Sequence, residues 1–235
     1  MNIGSFLSSL RDVKYTLKEA ELLKEINTTR EITLDFGKFS ESFLQVFQKN
    51  DYSKIYRTAM ENNDYDFLLT DDSFFQFSCT PKEGNLEHGS IRYAYYENPR
   101  NYPTYEEFIE TIGFSYEQCR DEFQNEYEQS IAEAKLKNTV TPIRYDYDFQ
   151  LYEPIHHPIS HIHIGHNNEL RLPSDKILTP AKFVNFVLQN TYRRQWKSTF
   201  QNDKFRNKVL TAKRRCFKVD DSYFTRDEQE FLFIV

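Results

Sequence analysis

Five of the six histidines in this 235-residue chain lie between His156 and His166. Imidazole titrates near neutral pH and, when neutral, is the commonest metal ligand. His161 and His163 stand two apart, so an extended strand would turn both to one face. There they can offer two nitrogens to one divalent metal, with Asp146 or Glu169 completing a His/carboxylate set. Without metal, one imidazole can act as base and the other as acid on a ribose 2′-hydroxyl and a leaving 5′-oxygen. Arg144 or Arg171 would then stabilise the charged phosphorane. Both chemistries stay open at this level. His156, His157 and His166 are secondary candidates, the first two beside a Pro-bounded turn. A hydrated sheet face also carries polar residues without any function, but five histidines this close to Arg and Asp favour a site.

The elements that must position these residues show in the alternation. From Thr141 to Tyr152 the pattern puts Arg144, Asp146 and Asp148 on one face and Tyr145, Tyr147 and Phe149 on the other. From Ser160 to Leu172, His161 and His163 oppose Ile162 and Ile164. A three-residue loop, His166 to Asn168, would set Ile164 against Leu170, Ile162 against Leu172 and His163 against Arg171. That register sorts apolar from polar on every pair. The expected product is a sheet with one greasy face and one face bearing His161, His163, Arg171, Glu169, Arg144, Asp146 and Arg92.

Around this sheet the period is helical. Apolar residues from Ile3 to Ile26 form a stripe, and Ser40–Lys49 and Ser53–Glu61 read as two further helices. Aromatic runs at Ser73–Ser78 and Ser90–Tyr96 flank Lys82-Glu83-Gly84-Asn85 and predict a hairpin with a long loop. Helix returns over Tyr102–Asn138, with capping boxes at Thr104/Glu107 and Ser115/Gln118 on either side of Gly113. Thr179-Pro180 opens another helix, with Thr as N-cap and Pro at the first position. The tail Phe231–Val235 is expected to pack or to pair as a strand. The fold class is α+β: an antiparallel meander of about four or five strands, flanked by N-terminal, inserted and C-terminal helices. We expect a single domain over 1–235, with 1–62 mainly helical and 180–218 a helical basic part.

Charge is unevenly spread along a chain of net charge −6. Thr104–Glu133 holds nine acids and one base, whereas Arg193–Lys218 holds ten Lys or Arg and one acid. In the basic segment Arg193, Arg194, Lys197, Arg206, Arg214 and Arg215 are interleaved with Trp196 and Phe205, a pattern that suits phosphates and stacked bases. A solvated helical face explains the same run equally well. Cys79, Cys119 and Cys216 have no metal-site or disulfide spacing, which predicts a reducing, cytoplasmic setting. No stretch approaches the roughly 18 apolar residues of a membrane helix, so no membrane partner is expected. No Gly-rich phosphate loop, G-x-S-x-G or H-E-x-x-H occurs, which removes P-loop motors, nucleophile-elbow hydrolases and zincins.

Arg144-Tyr145-Asp146, His156-His157-Pro158 and His161-Ile162-His163 together resemble a bacterial family of unknown function. That family is similar in this strand, the paired histidines, the Ser-His-x-His-x-Gly stretch and the Thr-Pro helix start, over most of the chain. More remotely, the order Arg-x-Asp, His-His, His-x-His is similar to small TumE-type toxins of toxin–antitoxin modules. The likeness implies a prokaryotic toxin or anti-phage defence setting and an RNA-directed activity. The leading expectation is a ribonuclease-like effector with RNA as partner, using His161, His163, Arg144, Arg171 and Asp146, with or without a divalent metal. The alternative is a non-enzymatic subunit whose polar face binds a cognate protein, such as an antitoxin, or nucleic acid.

Overall fold

The computed structural model describes residues 1–29, 39–49, 51–82 and 85–232. Residues that alternate large rings with polar groups extend into strands: β1 Leu23–Ile26, β2 Phe67–Leu69, β3 Phe74–Lys82, β4 Asn85–Tyr96, β5 Ile143–Asp148, β6 Ser160–Ile164 and β7 Leu172–Pro173. They form one seven-stranded sheet in chain order, with every neighbour antiparallel. A small pair, β8 Lys176–Ile177 and β9 Phe217–Lys218, stands beside it. The α+β class holds, with more strands than the four or five expected.

The extra strands come from short pieces without a readable alternation. The clearest is β1, which lies where the apolar stripe predicted helix up to Ile26. The first helix instead ends at Glu19, because Glu21 takes a left-handed φ of 57°. Leu22 N–H then donates to Leu17 O and Glu21 N–H to Lys18 O, the paired bonds of a Schellman ending. The region Tyr102–Asn138 likewise breaks into three short helices, Tyr105–Thr111, Tyr116–Cys119 and Gln124–Glu133. The Thr104/Glu107 capping box is formed in both directions. At the hairpin, β3 reaches Lys82 and β4 resumes at Asn85, so most of the expected long loop is strand. Glu83 and Gly84 lie outside the described residues. So do residues 233–235 of the apolar tail, and Phe231 and Leu232 close the helix Arg226–Leu232.

The sheet's period of two sorts its faces. One face carries Phe75, Phe77, Tyr93, Tyr95 and Tyr145 under the helices Ile3–Glu19 and Pro180–Thr191. Phe183 sits at its centre, with ring centroids 6.2, 6.5 and 5.7 Å from Phe75, Phe77 and Tyr93. The opposite face carries Phe74, Ala94 and Tyr96, roofed by Glu41–Gln48 and Tyr52–Glu61 through Phe43, Ile55 and Ala59. That roof rests on β2, β3 and β4. The polar residues of β5 and β6 lie on the same face, beyond it. Among the described residues no helix is long and apolar enough to cross a membrane.

The helix Pro180–Thr191 starts as its sequence requires. Thr179 caps it by accepting from Lys182 N–H at 3.3 Å, and Pro180 occupies the first turn. Thr179→Ala is expected to lower stability by about 1 kcal/mol in urea denaturation. A loss below about 0.3 kcal/mol would show that packing alone holds this helix start.

Candidate functional site

Two ladders assemble the polar face. Between β4 and β5, Arg92 pairs with Asp146 and Ala94 with Arg144. Between β5 and β6, Arg144 pairs with His163 and Asp146 with His161. Directly opposed residues in antiparallel strands turn their side chains to the same face at short range. Three strands therefore bring two guanidiniums, one carboxylate and two imidazoles together.

Asp146 is the hub. Its Oδ1 accepts from Arg92 Nε at 3.0 Å and its Oδ2 from Arg144 Nε at 2.7 Å. Oδ2 also lies 3.3 Å from His163 Nε2. His163 Nε2 is 3.0 Å from His161 Nε2, and His161 Nδ1 is 2.6 Å from the Pro158 carbonyl. Oxygens of a carbonyl or carboxylate accept only, which assigns the tautomers. His161 donates Nδ1–H to Pro158 and keeps a lone pair at Nε2. His163 directs Nε2–H at Asp146 and at that lone pair. Its Nδ1, used in neither contact, then carries the basic lone pair.

Burial and charge set the titrations. Burial alone would raise the Asp146 carboxyl, but the hydrogen bond from His163 and the charges of Arg144 and Arg92 outweigh it and hold it well below the usual range. His161 is 1% exposed. Burial is the largest cause that brings its imidazole down to about 4, so it is neutral at physiological pH. Two guanidiniums, Arg92 and Arg144, thus share the single carboxylate of Asp146.

The cluster opens at one side into a cavity of about 380 Å³, lined by Arg144, His163, His166 and Glu169 together with Tyr52 and Tyr96 of the roofed half. His163 therefore faces the cavity while His161 stands behind it. The His161 side chain is 1% exposed and is shut off from anything the cavity holds. His157 packs its ring at 4.9 Å, edge to face, against His161, and its buried Nδ1 has no hydrogen-bond partner. His156 is exposed. His166 lies on the cavity wall with its ring edge-on to Tyr52 at 5.3 Å.

Arg171 is not brought in. The expected register holds at Ile162↔Leu172, but the β6–β7 ladder pairs only His161↔Pro173 besides. The expected pairs Ile164–Leu170 and His163–Arg171 are absent from it. Gly165 at φ 91° and Asn167 at φ 56° bend the chain into a turn before those pairs can form. Arg171 instead donates to Glu169 O at 3.3 Å, and it does not line the cavity.

The basic segment also lies elsewhere. Its helices Arg193–Thr199 and Asp203–Arg214 join the layer over the apolar face, where Ala212 enters the core with Val187 and Leu188. Arg193, Arg194, Lys197, Arg206, Arg214 and Arg215 are thus on the far side of the sheet from Asp146. Arg215 and Lys208 pair with Asp12 at 2.9 and 2.8 Å, and Arg206 pairs with Asp203. The segment does not border the His/Arg/Asp face, because the polar and apolar faces of one sheet point apart.

Sequence reasoning missed Tyr52, Tyr96 and Phe47 as cavity walls, and the Pro158 carbonyl as the anchor of His161. No local pattern marks a helix roughly ninety residues upstream as the neighbour of β5. The chain matches over residues 17–235 the model of a family described as an uncharacterised conserved protein. No curated protein and no solved structure matches it.

Proposed function

The chain belongs to the uncharacterised conserved family DUF2290, and from its own site we propose that it cleaves RNA phosphodiester bonds by metal-free acid–base chemistry. One observation carries the reading: a carboxylate-oriented imidazole, His163, and a guanidinium, Arg144, line one cavity side by side. A guanidinium next to an imidazole suits a bound phosphate. A flat, exposed Arg and Tyr surface would instead have favoured the non-enzymatic binding subunit.

In the reaction, His163 Nδ1 takes the proton of a ribose 2′-hydroxyl. The freed oxygen attacks the adjacent phosphorus, and the bond from phosphorus to the 5′-oxygen breaks. His166, on the same wall, gives the leaving oxygen its proton. Arg144 balances the added charge on the phosphorane. No water is consumed, and the products are a 2′,3′-cyclic phosphate and a 5′-hydroxyl. Asp146 and His161 hold His163 in its tautomer. The setting as a bacterial toxin or defence effector rests on the likeness of Arg144, Asp146, His161 and His163 to TumE-type toxins.

A second reading has its own observation. Ligand atoms of Asp146, His161 and His163 all lie within 4.8 Å of one another. The His161–Pro158 bond is also the kind of outer contact that orients a metal-binding imidazole. Against it, a divalent cation there would sit beside two guanidiniums that already neutralise the carboxylate. The experiment is incubation of purified protein with single-stranded RNA in EDTA, beside elemental analysis of the protein. Cyclic phosphate ends formed in EDTA support the metal-free reaction. Cleavage lost in EDTA and restored by a divalent cation transfers the site to the metal reading. Binding without cleavage in either condition leaves the binding subunit.

A further inference from the structure

We propose that the cavity beside Arg144 and His163 is also a nucleobase pocket, shaped for an unpaired guanine and with Glu169 as the residue that selects it. The inference rests on the reading of this site as one for RNA phosphodiesters and names the base it prefers.

The cavity holds more than a phosphate needs. Its volume of about 380 Å³ falls in the range of small-molecule sites. Part of its wall is apolar and aromatic: Phe47, Tyr52, Ile55 and Tyr96, contributed by the roofing helices and β4. Tyr52 is fixed in orientation, since its hydroxyl donates to Glu97 O at 2.6 Å. Flat rings on a cavity wall are what single-stranded RNA recognition uses to receive a splayed-out base.

The remaining wall is the turn after β6. Gly165 holds a φ of 91°, and a Cβ there would come within 2.5 Å of Asn168 Nδ2. Asn168 spends both ends of its amide on the turn itself. Its Nδ2 donates to Ile164 O at 2.7 Å, and its Oδ1 accepts from Leu170 N–H at 3.1 Å. Asn168 therefore builds the wall and does not read a ligand. Glu169 is different: it lines the cavity, and among the described residues its carboxylate has no ion pair.

A carboxylate offers two acceptors side by side and no donor. Guanine presents two adjacent donors on its Watson–Crick edge, N1–H and the 2-amino group. Adenine and cytosine set one donor beside an acceptor there, and uracil flanks one donor with two acceptors. Only guanine can give Glu169 two parallel hydrogen bonds. In a duplex that edge is occupied, so the base must be unpaired. Arg144 would hold the 3′-phosphate of the same nucleotide, next to His163.

The test is equilibrium binding of guanosine, adenosine, cytidine and uridine 3′-monophosphates to the full chain by titration calorimetry. Wild type is expected to bind the guanosine nucleotide about tenfold or more tighter than the other three. Glu169→Gln should erase that margin, and Arg144→Ala should weaken all four alike. Glu169 is exposed, so the variant is expected to melt as wild type does, which a thermal scan verifies. Four equal affinities, a margin that survives Glu169→Gln, or no binding at all would overturn the pocket. Cleavage of a deoxyoligonucleotide carrying one ribonucleotide separates the two readings. Cleavage with equal rates at all four bases keeps the phosphodiesterase and removes the guanine pocket. A guanine binding margin with no cleavage of any RNA does the reverse.

Discussion

Replacing His163 by alanine is expected to slow RNA cleavage by about a hundred- to ten-thousandfold, the usual contribution of a positioned general base. The imidazole lines the cavity and is held by Asp146 at 3.3 Å, so its removal takes away the basic nitrogen and leaves Arg144 in place. Substrate affinity should change far less than turnover, because the phosphate contact survives. His161→Ala should have a smaller effect, through loss of orientation, and Arg171→Ala should leave the rate within about twofold. Steady-state kinetics add a readout that a structural role would move differently: kcat should fall with KM nearly unchanged, whereas a distorted site would raise KM as well. A folded His163→Ala protein that cleaves at the wild-type rate would remove His163 from the chemistry. An Arg171→Ala rate as low as that of His163→Ala would mean that the cavity closes around substrate differently from this structure.

The second large effect is on stability against acid. His161 ionises near 4 in the folded protein, with burial the main cause, against about 6.5 for a free histidine. A folded-state value below the unfolded one means that acid protonates the unfolded chain first. The contribution is therefore fully present above about pH 6.5 and is lost as pH falls toward 4. Two and a half units correspond to about 3 kcal/mol. Asp146, held low, works in a more acidic window. Its contribution is present above the ordinary carboxyl range and disappears only below it. The measurement is urea denaturation of wild type and His161→Gln at several pH values between 7 and 4. The stability difference between the two should shift by about 3 kcal/mol toward the variant over that range. A constant difference would mean that His161 is not kept neutral by the fold.

What the sequence determined by itself is local and periodic. Alternation of two placed Arg144 with Asp146, and His161 with His163, on one strand face each, because a pleat admits no other arrangement. It also identified the register at Ile162↔Leu172, the Thr104/Glu107 box, the Thr179-Pro180 helix start and the α+β class. Those features depend on neighbours a few residues away, whose chemistry is written beside them. The end of the first helix escaped, since Glu21 adopts a left-handed conformation that usually signals glycine.

Only the tertiary structure decided which side chains the candidate site brings together. Whether Arg171 joins His163 depended on a turn closing before the ladder reached it. Whether the basic segment borders the site depended on which sheet face its helices cover, a choice made by Phe183, Ala212 and their core neighbours. That His163 faces the cavity while His161 is buried follows from the Pro158 carbonyl and from a roof over only part of the sheet. Such outcomes depend on the packing of segments as far apart in the chain as those of Asp12 and Arg215. Local periodicity names the face on which a side chain stands, and the packing of distant helices settles what that face looks onto.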